Sequence, residues 1–104
     1  MSAPTLRQYG RTWTWPPPVP AAISKREPFR SGALRGVEGP PPSYGRLPAE
    51  YVRLCQAEPP TYLVMSYATP IAWFSDAHGW TVPDERYSVT TGRHQGYVRT
   101  AMTL

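Results

Sequence analysis

The residues with chemistry to offer are few in this 104-residue chain, and the densest group is Ser88, Thr90, Thr91, Arg93, His94 and Gln95. A helix starting here would present unpaired N–H groups and a positive dipole end, beside threonine hydroxyls and an arginine one turn in. That combination suits an anion, above all a phosphate. The same atoms have an internal use: Thr90 or Thr91 can cap the helix while His94 and Gln95 bond to a sheet edge or to residues 66–69. The letters of a nucleophile–base–acid set are also present in Ser88 or Thr91, His94 and Asp84. They lack the glycine pattern of a nucleophile elbow, and a short sheet gives little depth for a pocket that excludes water. No residue is therefore assigned a catalytic role, and the chain is read as non-enzymatic. His78 and His94 stand far apart with no cysteine pair between them, so neither a metal nor a cofactor is assigned.

A second group lies in the first half. Arg7 and Arg11 interleave with aromatic rings in RQYGRTWTW (residues 7–15), and Arg26 and Arg30 follow in a basic stretch. Arginine forks take phosphate well and stack on rings, so this region suits nucleic acid. Trp13, Trp15, Pro17 and Pro20 suggest a different use, docking as an extended segment on a protein. The Pro17–Pro20 spacing is a bare PxxP without the flanking base that such ligands carry.

The elements that position these residues follow from composition. Twelve of the 14 prolines fall in residues 1–60, and so does the whole formal excess of +4, nearly all of it arginine. Two clusters, WPPPVP (15–20) and GPPPSYG (39–45), read as polyproline II because proline removes a donor and biases its predecessor to extended geometry. Residues 1–46 are read as an extended or disordered arm, and residues 47–104 as one small domain. In that domain, 47–58 is a short helix with Leu47, Tyr51, Leu54 and Cys55 on one stripe, ended by Pro59-Pro60. Cys55 reads as a small buried hydrophobe. TYLVMSY (61–67) is apolar on both faces and reads as an inner strand. IAWFS (71–75), a polar tip at 76–79 and WTV (80–82) read as a hairpin, RYSVTT (86–91) as a further strand, and 90–102 as a glycine-weakened helix.

The expected fold is α+β: a small antiparallel sheet of three to four strands, with the 47–58 and C-terminal helices over one face. Val64, Ile71, Trp73, Trp80, Tyr87, Val89, Leu54 and Val98 are the expected core. An uncovered sheet edge could pair two copies into a homodimer. One cysteine excludes an internal disulfide. The first 20 residues show no apolar signal-peptide core, and no run is long enough for a membrane helix, so the expectation is a cytoplasmic protein without membrane contact.

Two stretches carry a resemblance. SYATPIAWF (66–74) and GWTVPDERYSVTTGRHQGYVR (79–99) resemble a small domain of phages, plasmids and actinobacterial genomes. Its pattern runs S-Y-x-T-P-I-A, a variable turn, then W-x-x-P-x-x-x-Y-S-V-T-T-x-x-H-Q. Tyr87, Ser88, Val89, Thr90, Thr91, His94 and Gln95 carry most of it. The family has no assigned activity, and the resemblance implies an accessory protein of a phage or mobile element in the cytoplasm of a bacterial host. The functional expectation is nucleic-acid binding through Arg7, Arg11, Arg26 and Arg30 of the arm and the Thr90, Thr91, Arg93, His94 and Arg99 corner. The alternative is modulation of a host protein through Trp13, Trp15 and the prolines.

Overall fold

The computed structural model describes residues 3–6 and 15–104, so Arg7, Arg11 and Trp13 lie outside the described residues. In chain order the elements are α1 (Pro18–Ser24), β1 (Phe29–Ser31), β2 (Leu34–Glu38), α2 (Ala49–Ala57), β3 (Tyr62–Ser66), β4 (Thr69–Ser75), β5 (Gly79–Thr81) and α3 (Val89–Ala101). The strands form one antiparallel sheet in the order β1-β2-β3-β4-β5, an α+β fold with one strand more than the sequence suggested. Pro4, Thr5 and Leu6 run along the outer edge of β1: Leu6 N–H donates to the Arg30 carbonyl at 2.6 Å, and Arg30 N–H to the Pro4 carbonyl at 2.8 Å.

Every residue of β3 is buried because the sheet is covered on both faces. Tyr62 and Val64 point to one side, where Val19, Ile23, Phe29, Leu34, Ile71, Ala72, Val98 and Ala101 close a core beneath α1 and α3. Leu63 and Met65 point to the other, where α2 lays Tyr51, Val52 and Cys55 over Trp73. Fully burying each such aliphatic side chain stabilises by about 1.5–3 kcal/mol. The two helices expected on one face thus lie on opposite faces. A shift of register between Val64 and Met65 leaves Ile71 as an extra residue, so Ile71 and Ala72 both face the α1/α3 core. Pro70 sits at this irregularity.

The proline clusters are the main departure from expectation. Residues 18–38, placed in the arm by composition, form α1, β1 and β2 and supply part of the core. Pro18 and Pro20 lie in the first turn of α1, where the missing N–H has no intrahelical partner to lose. Residues 86–91 do not form a strand. The carbonyl of Glu85 accepts from Gln95 Nε2 at 2.7 Å, and Ser88 caps α3 in place of Thr90 or Thr91. Val89 therefore opens a helix rather than facing inward and is 80% exposed. Leu54 is 52% exposed, because the apolar stripe of α2 runs through Leu47, Tyr51 and Cys55 on the far side. Val64, Ile71, Trp73 and Val98 are core, while Trp80 and Tyr87 pack half-buried against it.

Candidate functional site at one end of the sheet

The register brings several segments to one end of the molecule. Leu34 pairs with Ser66, so the β1–β2 tip at Gly32-Ala33 stands beside the β3–β4 tip at Tyr67-Ala68. Tyr67 N–H donates to the Ala33 carbonyl at 2.9 Å and ties the two tips together. The loop before α2 returns to the same place: Ser43 Oγ donates to the Ala68 carbonyl at 2.9 Å, and Arg46 N–H to Thr69 Oγ1 at 2.9 Å. The first turns of α3 dock there as well, through a chain of hydroxyls.

That chain begins at the cap. Thr91 N–H donates to Ser88 Oγ at 3.1 Å, and the Ser88 hydroxyl donates to Thr91 Oγ1 at 3.2 Å. Thr91 Oγ1 is 3.0 Å from Ser66 Oγ, which is 2.7 Å from His94 Nδ1. Each hydroxyl has one hydrogen to give. With Ser88 donating to Thr91, the consistent order runs Thr91 to Ser66 to His94 Nδ1, which makes His94 a neutral ring carrying its proton on Nε2. Burial pushes the His94 pKa down from its usual value, in agreement with a neutral ring. Ser66 is only 1% exposed, so its short bond to a histidine ties β3 to α3 and offers no nucleophile to solvent. Asp84 is exposed and is not among the hydrogen-bond partners of His94.

Around this buried chain the surface is aromatic and basic. Tyr67 is 57% exposed, and its ring lies 6.2 Å from the His94 ring, which in turn lies 6.3 Å from the Tyr97 ring. Arg30 and Arg35 face each other directly across β1 and β2. With Tyr67, Gly32 and Ala33 they line a depression of about 300 Å³. A groove of about 370 Å³ continues from the same two arginines past Thr5 and Val37. Arg46 and Arg93 belong to segments at this end, as does Glu50 in the first turn of α2. Glu38, Glu58 and Asp76 lie at the opposite end, where His78 Nε2 is 3.3 Å from Glu58. That pair is the one ion pair found among the described residues. No group of three or more metal-ligating side chains occurs among the described residues, and no helix there is long and apolar enough to cross a membrane.

The residues singled out from sequence are thus divided. Arg30, Thr90, Thr91, Arg93 and His94 meet at this end, but Thr91 and His94 are buried and spend their hydrogen bonds internally. Arg26 lies at the other end with its guanidinium 4.2 Å from the centre of the Phe74 ring, and Arg99 is in the last turn of α3. Pro20 is buried in the core and offers nothing to a partner, Pro17 is half-buried ahead of α1, and Trp15 is exposed. Arg35 and Tyr67 went unmarked in the sequence. The cross-strand pairing that sets Arg35 against Arg30 needs β1 and β2, which the proline-rich composition concealed.

The chain belongs to a family of unknown function (DUF8033), which it matches over residues 26–101. The match takes in β1, β2 and every segment that meets at this end except Pro4–Leu6. No curated protein and no solved structure matches the chain.

Proposed function

We propose that this protein binds nucleic acid, without a reaction of its own, through the end of the sheet where the two hairpin tips and α3 meet. The observation that carries the reading is the Arg30–Arg35 pair. Like charges directly opposite on neighbouring strands repel, and here no carboxylate among the described residues lies within salt-bridge distance of either. A polyanion supplies the missing counter-charge, and arginine is suited to phosphate. Arg46 and Arg93 add positive charge at this end against the one carboxylate of Glu50, while Glu38, Glu58 and Asp76 sit away from it. On this reading the activity is that of an accessory protein of a phage or mobile element, working in the cytoplasm of its host, and the resemblance of residues 66–99 supports it. The surface differs from the one expected: it stands on β1, β2 and the β3–β4 turn, with Arg93 and Thr90 at its margin.

The test is fluorescence anisotropy of the full chain with labelled nucleic acid over a range of salt. The expected result is binding that weakens steeply with salt. Replacing both arginines (Arg30→Ser with Arg35→Ser) should then reduce the slope of log K against log salt by roughly 1.4 to 1.8, two phosphate contacts' worth. Binding that ignores salt, or capture of a discrete protein from nuclease-treated lysate in place of nucleic acid, would overturn the proposal. The second outcome points to the protein-binding alternative.

A further inference from the structure

Tyr67 is placed in a way that the sheet alone does not require. The β3–β4 connection has two residues, Tyr67 and Ala68, and Tyr67 takes φ of +56° at its first position. Glycine fits that position without strain, whereas a tyrosine is held there only by its surroundings. The hydrogen bond from its N–H to the Ala33 carbonyl does the holding. The ring is left standing largely in solvent, with the His94 ring beside it at a tilt of 38°. On the remaining side lies the depression lined by Arg30, Gly32, Ala33 and Arg35, where glycine and alanine leave room for a flat group. The groove then leads on past the same two arginines toward Thr5 and Val37.

An exposed ring followed by two guanidinium groups along a groove matches the order of a base and the backbone that carries it. In a duplex the faces of the bases cover one another, and a ring at a protein surface has nothing to stack on. A single strand offers the face of every base. Resting on the nucleic-acid reading above, we infer that the ligand is a single strand, with one base stacked on Tyr67 and its flanking phosphates on Arg30 and Arg35. Stacking of this kind tolerates any base, so the site selects strandedness above sequence.

The experiment uses the full chain, labelled oligothymidylate and oligoadenylate, and a duplex of matched length, all at one salt concentration. Tyr67→Gly removes the ring but suits the left-handed backbone, so it preserves the turn; Tyr67→Phe keeps the ring. The expected result is tighter binding of both single strands than of the duplex. Tyr67→Gly should weaken single-strand binding about tenfold or more, leave duplex binding within about twofold, and Tyr67→Phe should bind as the parent does. Duplex binding equal to or tighter than single-strand binding overturns the inference, as does an unchanged single-strand affinity in Tyr67→Gly. If neither form of nucleic acid binds, the failure belongs to the underlying reading rather than to this refinement of it.

Discussion

Replacing Ser66 by alanine should reveal how much of the fold depends on the buried hydroxyl chain. Ser66 Oγ stands between His94 Nδ1 at 2.7 Å and Thr91 Oγ1 at 3.0 Å, and it links β3 to α3 by hydrogen bonds beside their shared apolar core. Two neutral hydrogen bonds contribute about 0.5–1.5 kcal/mol each in net terms, and a buried ring nitrogen left without a partner costs about 1–3 kcal/mol. Thr91 keeps its contact with Ser88, so the second bond is only partly lost. The expected destabilisation is about 2–3 kcal/mol, which for a chain of this size lowers Tm by roughly 10 °C. Calorimetry or a urea titration reads it. A double-mutant cycle with His94→Gln should give a coupling of about 1–2 kcal/mol, and amide exchange at Thr91 and Gly92 should accelerate as the helix start loosens. A loss below about 0.5 kcal/mol with no coupling would refute the reasoning, because it would mean that water or a rearranged rotamer satisfies His94 equally well.

Two further predictions concern the same fold. Burial holds the His94 pKa below its ordinary 6.5. Above about pH 6.5 both folded and unfolded histidine are neutral and the protein has its full stability. As pH falls below that value the unfolded chain takes up a proton that the folded one resists, and stability is lost by at most about 1.4 kcal/mol per pH unit until the folded ring titrates too. Urea midpoints compared between about pH 7.5 and about pH 5.5 should fall in a His78→Asn background and flatten when His94→Gln is added; an unchanged pH dependence in the second variant would refute the assignment. Gly36 lies on the α1/α3 face, where a Cβ would meet the Tyr62 hydroxyl and the Phe29 ring. Gly36→Ala should cost about 1–3 kcal/mol by displacing Tyr62 from its 2.8 Å bond to the Glu27 carbonyl, and a Tm equal to the parent's would contradict that packing.

What the sequence made legible was whatever burial and periodicity control. Residues 61–67 are apolar on both faces because the sheet is covered on both, and the α2 stripe and the β4–β5 hairpin have patterns that survive without their neighbours. The β1–β2 hairpin has no such pattern. FRS and LRGVE carry arginine, glycine and glutamate, and they become strands because Leu34 and Gly36 pair with Ser66 and Val64 across a distant segment. The proline clusters misled for a specific reason: proline excludes a helix interior but not a first turn, and α1 begins inside one cluster. At the α3 start, valine and threonine suggested a strand, and the Ser88 cap decided for a helix. His94 was visible as a residue with chemistry. Residues 66–69 were visible as one of its possible partners; that the atom is Ser66 Oγ, 28 positions away, follows only from the docking of α3 against β3.

At this end some polar groups are turned inward and others stand at the surface. The groups with catalytic potential, Ser66, Thr91 and His94, are turned inward and consume each other's hydrogen bonds, which fixes the β3–β4 tip against α3. The groups left at the surface, Tyr67, Arg30 and Arg35, are those that the proposed function assigns to a charged, flat-faced ligand. Holding them costs strain at Tyr67 and repulsion between the arginines, about 1–3 kcal/mol for a backbone of that kind. The buried chain beneath supplies a comparable amount and restrains the turn in that conformation. A ligand that stacks on Tyr67 then meets a ring already in place, and little of its binding energy goes into ordering the site.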